Sequence, residues 1–273
     1  MIDMNIFQAL HYEFVQRAFL AGIFIGLVCS LLGVLLVLRR LSLIGDGLAH
    51  VTFGSVAVGL LLKQQPVFTA IPIVMLSALG IMKLVEKAKL YGDAAIGIVS
   101  SAGIAGGVLI VSIAGGFNID LFSFLFGNIL AISRAEVITS LFLSVTVLAM
   151  ITIFYHENFS VTFDEEFAKV SGINTGKINS LLVMLTGITV VLTMKVVGIM
   201  LTSSLLILPA VTALQIAKSF RMTMIIAAVS SISSVISGIL VSLILNLPSG
   251  ASIVMVNFIF FLLSFAYKKS KSQ

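Results

Sequence analysis

The chain has 273 residues, of which 59% are apolar and only 10% charged, with a mean hydropathy of +1.21. Soluble domains carry about 25% charged residues, so an ordinary soluble domain is excluded. A bilayer span takes about 20 apolar residues, so the chain holds at most about nine or ten spans and has no room for a separate soluble catalytic domain.

The composition therefore predicts an all-α fold: a polytopic transmembrane helical bundle occupying residues 1–273 as one domain. A net charge of +5 and a pI near 9.4 would point to nucleic acid in a soluble protein. In a membrane protein the charge belongs to the loops, and no nucleic-acid partner is expected. One cysteine, Cys29, excludes a disulfide framework within the chain.

The N-terminal MIDMNIFQALHYEF lacks the basic region that opens a signal peptide, so the first span is expected to act as the insertion signal. Apolar runs then give nine candidate spans: 17–38, 47–62, 66–85, 94–116, 135–155, 179–200, 203–217, 222–246 and 250–267. The run at 203–217 is short and follows its predecessor almost directly, so a broken or re-entrant element is an alternative that reduces the count to eight. Residues 117–130 are apolar with Asn118, Asp120 and Asn128 interspersed, the pattern of a short interfacial helix. Small residues at spacing four (Gly22, Gly26 and Ser30; Ser230, Ser234 and Gly238) read as places where helix backbones approach closely.

Basic residues set the orientation. With Lys268, Lys269 and Lys271 in the cytoplasm, alternation places Lys218, Arg221, Lys169, Lys177, Lys83, Lys87, Lys89, Arg39 and Arg40 there too. That is twelve of the sixteen basic residues. Nine spans then put the N-terminus outside; eight put it inside. Of the remaining four, Lys195 is expected to snorkel to the outer interface.

The longest polar break is 156–178. Phe163, Phe167 and Val170 recur at three- or four-residue spacing. Asp164, Glu165 and Glu166 stand where a first helical turn would place them against the positive end of the helix dipole, and Gly172 is placed to end the helix. The segment predicts a short amphipathic cytoplasmic helix, either a surface connector or a docking helix for a partner. Gly172 to Lys177 imitates a phosphate loop, but three residues separate its glycines where four are needed, and Ile178 follows the lysine. ATP chemistry must come from another chain, and no catalytic residue is expected here.

Charges inside spans are costly and usually functional. In the stretch RRLSLIGDGLAH (39–50), Asp46 and His50 are four residues apart and would share one helix face. A carboxylate and an imidazole together suit Mn²⁺, Fe²⁺ or Zn²⁺. Gly45 and Gly47 flank the aspartate and could let the backbone break there, as at transporter sites. The alternative is an aspartate capping a helix, with a histidine bonded to a neighbouring carbonyl. Thr202, Ser203 and Ser204, with Asn257 in the last span, are candidate pathway groups, or hydroxyls bonded one turn back.

With these segments in view, the chain resembles the membrane permeases of bacterial ABC importers for zinc, manganese or iron. The resemblance is carried by RRLSLIGDGLAH (39–50), LFSFLFGNIL (121–130), DEEFAKVSGI (164–173) and VVGIMLTSSLLILPAVTA (196–213), in the family's order and nearly end to end. It implies the type II importer permease fold, related to the vitamin B12 and siderophore permeases, in the bacterial plasma membrane with the C-terminus cytoplasmic. It implies a homodimer embedded in lipid, two cytoplasmic ATP-binding subunits docked on the 164–173 helix, and an extracytoplasmic metal-binding protein that delivers the ion. The family's metal-gating Asp and His map onto Asp46 and His50. The ion is cargo, with no permanently bound cofactor. Only a neutral imidazole coordinates, so this site implies transport that weakens as acid protonates it.

Other readings fit less well. A siderophore or vitamin B12 permease needs a wide path and no Asp/His pair. An intramembrane aspartyl protease needs two facing carboxylates sharing a proton; Asp46 and Asp93, each after a glycine, offer only a weak motif. A metalloprotease fails because His156-Glu157 meets Ser160 where a second histidine belongs. A secondary transporter would be isolated without an ATPase.

Overall fold

In the computed structural model, residues 11–114 and 132–271 are described, apart from the side chains of Lys195 and Met200. The expected interfacial helix at 117–130, the segment 121–130, the first ten residues and the snorkelling of Lys195 lie outside the described residues.

The described chain is helical: α1 (Glu13–Leu38), α2 (Ile44–Leu61), α3 (Pro66–Glu86), α4 (Gly92–Ile113), α5 (Arg134–Ile153), α6 (Tyr155–Phe163), α7 (Glu165–Val170), α8 (Thr175–Val197), α9 (Ile199–Ile216), α10 (Phe220–Leu245) and α11 (Ser249–Lys271). Eight of these are long and apolar enough to cross a membrane, and α9 contains a shorter apolar stretch. The helix ends follow local chemistry. Pro66 opens α3, where its missing N–H costs nothing. Ser219 caps α10 by accepting from the Met222 N–H at 3.3 Å. Asn246, at φ +51°, closes that helix in the left-handed region.

The break expected near residues 200–203 falls earlier. Gly198 alone, at φ +84°, separates α8 from α9. That backbone angle suits a residue without a Cβ, and α9 then runs unbroken to Ile216 with Pro209 inside it.

The chain divides into two compact units. One comprises Met1–Val34, Phe122–Ala149 and Lys195–Gln273; the other comprises Leu35–Leu121 and Met150–Met194. In the first, small residues let backbones meet, at Gly238 as its spacing predicts and at Gly33 outside the predicted rows. A Cβ on Gly33 has no room against the Leu206 carbonyl, and one on Gly238 would lie 2.5 Å from the Ile253 Cα. Ser231 Oγ donates to the Gly26 carbonyl at 2.9 Å, so the serine that reaches α1 lies one position beyond the Ser230–Ser234–Gly238 row.

In the second unit, α2 packs against both α3 and α4. The α2–α4 crossing is a glycine contact. A Cβ on Gly107 would lie 2.8 Å from the Gly54 Cα, and one on Gly103 2.8 Å from the Val51 Cα. Such close backbones give dispersion contact where lipid provides no hydrophobic drive. The result is an α2 packed nearly all round, and this fixes where its polar residues stand.

Candidate metal site and docking loop

α2 starts from a tight turn. Arg40 adopts φ +59°, the Leu41 N–H donates to the Leu36 carbonyl at 2.8 Å, and the Ile44 N–H donates to the Leu41 carbonyl at 3.0 Å. Leu43 is the N-cap, so Asp46 does not cap the helix. It sits in the first turn, where the dipole favours a negative charge. Nor does the helix break at the flanking glycines: it continues from Ile44 to Leu61, and the Gly47 N–H donates to Leu43 at 3.0 Å. Gly47 instead makes room for Ile96, whose Cγ2 would be 2.5 Å from an added Cβ.

Most of α2 is buried, but Leu43, Asp46, His50 and Phe53 form a stripe that is not. Asp46 is 46% exposed and His50 31%, with His50 Nε2 3.5 Å from Asp46 Oδ2. Two ligands each about 2.1 Å from one ion, at a tetrahedral angle, lie about 3.4 Å apart. The pair therefore has the separation of one edge of a first-row metal site. Among the described residues no group of three or more His, Cys, Asp or Glu side chains gathers to hold an ion, so among them the pair forms an edge and not a closed cage.

The other pathway candidates differ in state. Thr202 is fully buried, and its Oγ1 donates to the Gly198 carbonyl at 2.8 Å, the back-bonding open to a helical threonine. Ser203 is half-buried. The Ser204 hydroxyl and both side-chain polar atoms of Asn257 are buried with no hydrogen-bond partner among the described residues.

The polar break holds two helices where the sequence indicated one. α6 is additional: its polar residues masked it as a loop. Asp164, between α6 and α7, caps α7 by accepting from the Phe167 N–H at 2.8 Å. Gly172, at φ +86°, closes it: the Ile173 N–H donates to the Ala168 carbonyl at 3.0 Å and the Gly172 N–H to Lys169 at 3.1 Å, both bonds of a Schellman ending. Glu165 accepts from Thr175 Oγ1 at 3.1 Å and pairs with Lys169 Nζ at 2.9 Å. The hydrogen bond and charge of Glu165 raise the Lys169 pKa above its ordinary value. Ala168 is buried with Val161 and Ile178, while Phe163, Phe167 and Val170 are 60%, 65% and 89% exposed. This apolar face is of the kind a partner covers.

One organising residue escaped the sequence. Arg39, counted there only as a cytoplasmic charge, donates through Nε to Thr162 Oγ1 at 3.0 Å and through Nη1 to Asn179 Oδ1 at 2.7 Å. Through Nη2 it donates to Asn158, reaching Oδ1 at 2.8 Å and the carbonyl at 3.2 Å. Burial pushes its pKa down to about 10, against the opposing pull of Glu165. Three polar partners more than a hundred positions away in the chain leave no short-range pattern to detect.

Comparison with known proteins gives a consistent result. The model of the ABC 3 transport family matches residues 11–268. The manganese transport system membrane protein MntC of Halalkalibacterium halodurans is 32% identical over 95% of this chain and 89% of its own. The high-affinity zinc uptake system membrane protein ZnuB of Haemophilus influenzae is 31% identical over 93% of this chain and 97% of its own. A solved structure of PsaBC from Streptococcus pneumoniae in complex with Fab superposes with a TM-score of 0.85 at 31% identity, covering 97% of this chain and 95% of that one.

Proposed function

The chain belongs to the ABC 3 transport family, and from that premise we propose that it is the membrane permease of an ATP-driven importer that carries Mn²⁺, Zn²⁺ or Fe²⁺ into the cytoplasm. The relatives named for manganese and zinc support a divalent transition metal as cargo. The observation that carries the reading is the Asp46–His50 edge, 3.5 Å across and half open on an otherwise packed helix.

A half-exposed carboxylate in a membrane-spanning helix is costly. Covering the α2 stripe with a second copy of the chain removes that cost, and two edges from two copies complete a coordination shell. The homodimer is thus part of the proposal, as is one permease domain over residues 1–273. Delivered from outside by an extracytoplasmic binding protein, the cargo ion exchanges water for Asp46 and His50, and two ligands per chain hold it loosely enough to release it inward. Ser204 and Asn257 are pathway candidates, since buried polar atoms without partners among the described residues gain from a passing ion or its water. Two cytoplasmic ATPase subunits dock on Phe163, Phe167 and Val170, and ATP hydrolysis belongs to them. On this reading the loop at 156–178 and the C-terminus face the cytoplasm.

Uptake of radioactive Mn²⁺ and Zn²⁺ by cells carrying Asp46→Ala or His50→Ala tests the site. The expected outcome is loss of uptake with the protein present in the membrane at its usual level. Unchanged uptake at that level rejects the assignment.

A further inference from the structure

We propose that Arg39 is a positioning residue that transmits movement of the α6–α7 loop to the Asp46–His50 segment, so that ATP hydrolysis in the docked subunits is converted into a change at the metal site. The inference rests on the docking role proposed above.

The connection can be followed bond by bond. Thr162 and Asn158 lie on α6, and both accept from Arg39; Thr162 Oγ1 also donates to the Asn158 carbonyl at 2.6 Å. Asn179, on the first turns of α8, accepts from Nη1. Phe163 and Asp164 follow Thr162 directly, so the end of α6 held by Arg39 is also the entry to the exposed apolar face. A guanidinium presents its donors in a rigid planar fork, and engaging three residues at once fixes its orientation as well as its position.

On the other side, Arg39 is seven residues before Asp46. Its own N–H donates to the Leu35 carbonyl at 3.1 Å, and the Leu41, Ile44 and Gly47 N–H groups are all engaged within the turn. Little slack separates the guanidinium from the first turn of α2. A cleft of about 350 Å³ bounded by Arg39, Arg40, Met82, Glu86, Glu165 and Asn179 lies beside the fork, leaving space into which these side chains can shift. The segment thus links two regions with separate tasks through one side chain that belongs to neither.

The test uses the full permease with its ATPase in proteoliposomes. Metal moved and ATP hydrolysed are measured together, with Mn²⁺ or Zn²⁺ supplied, whichever the unaltered complex moves faster. In Arg39→Lys the charge stays and the fork is lost; Asn179→Ala and Thr162→Val each delete one acceptor and leave Arg39 in place. The expected result is a complex that keeps its ATPase and hydrolyses within about twofold of normal, while metal moved per ATP falls by about tenfold in Arg39→Lys and less in the other two. An unchanged ratio of metal to ATP in the variants that assemble overturns the proposal. So does loss of the ATPase from all three, because Arg39 would then merely hold the docking surface together. Phe167→Asp separates the premise from the inference: if that variant keeps its ATPase, the docking role fails whatever Arg39 does.

Discussion

Arg39 and Asp46 are charged residues seven positions apart, and the fold treats them in opposite ways. Arg39 is closed by its own chain, with four acceptor contacts between 2.7 and 3.2 Å from three residues. Asp46 stands on a half-open stripe, 46% exposed, with an imidazole nitrogen 3.5 Å away. A charge saturated by internal acceptors shapes the protein; a carboxylate and an imidazole 3.5 Å apart on a half-exposed stripe have the separation of two ligands on one ion.

The contrast can be broken experimentally. The largest effect concerns the exposed apolar face next to the Arg39 network: Phe167→Asp places a charge on it and is expected to abolish co-purification of the ATPase with little change in folding. Next, Arg39→Ala and Asp46→Ala should separate stability from transport. Removing Arg39 strands acceptors on Asn158, Thr162 and Asn179 and should cost about 1.5–3 kcal/mol, read as a lower melting temperature of the purified permease. Removing Asp46, half exposed, should shift stability by less than about 0.5 kcal/mol while uptake disappears. If Asp46→Ala melts earlier than Arg39→Ala, the two residues have been assigned the wrong way round.

A smaller effect is expected from Gly107→Ala. An added methyl would meet the Gly54 Cα at 2.8 Å, backbone against backbone, so α2 and α4 must separate at a cost of about 1–3 kcal/mol. Uptake should fall in proportion if, as proposed, α2 carries the ion's ligands. The smallest effect should come from Asn257→Leu. It exchanges an amide without partners among the described residues for an apolar side chain, which is nearly neutral for stability. A loss of uptake as deep as that of Asp46→Ala would move the principal binding site away from α2.

Much of this was legible in the chain because the signals are local. Spans announce themselves by continuous apolar runs, and Asp46 and His50 by a spacing of four. The amphipathic helix α7 is marked by an acidic start, a three- and four-residue apolar rhythm and a terminating glycine. Features made by distant pairing were not legible. The glycine crossing joins Gly54 to Gly103 and Gly107, and Arg39 finds Asn158, Thr162 and Asn179, with no periodicity to expose either. α6 was hidden because its polar residues bond within the fold: Asn158 is buried and serves as an acceptor for Arg39. The backbone break went to Gly198 instead of Gly45 or Gly47, because Gly47 is held in a helix against Ile96 while Gly198 adopts a positive φ.

The most direct measurement follows from the chain having only three histidines, His11, His50 and His156. Mn²⁺ bound to ¹⁵N-labelled permease in its full complex can be interrogated by pulsed electron paramagnetic resonance, which detects a coordinated imidazole nitrogen through its coupling to the metal. A histidine coupling is expected that vanishes in His50→Gln and persists in His11→Gln and His156→Gln. Bound Mn²⁺ with no histidine coupling, or a coupling that survives His50→Gln, would contradict it.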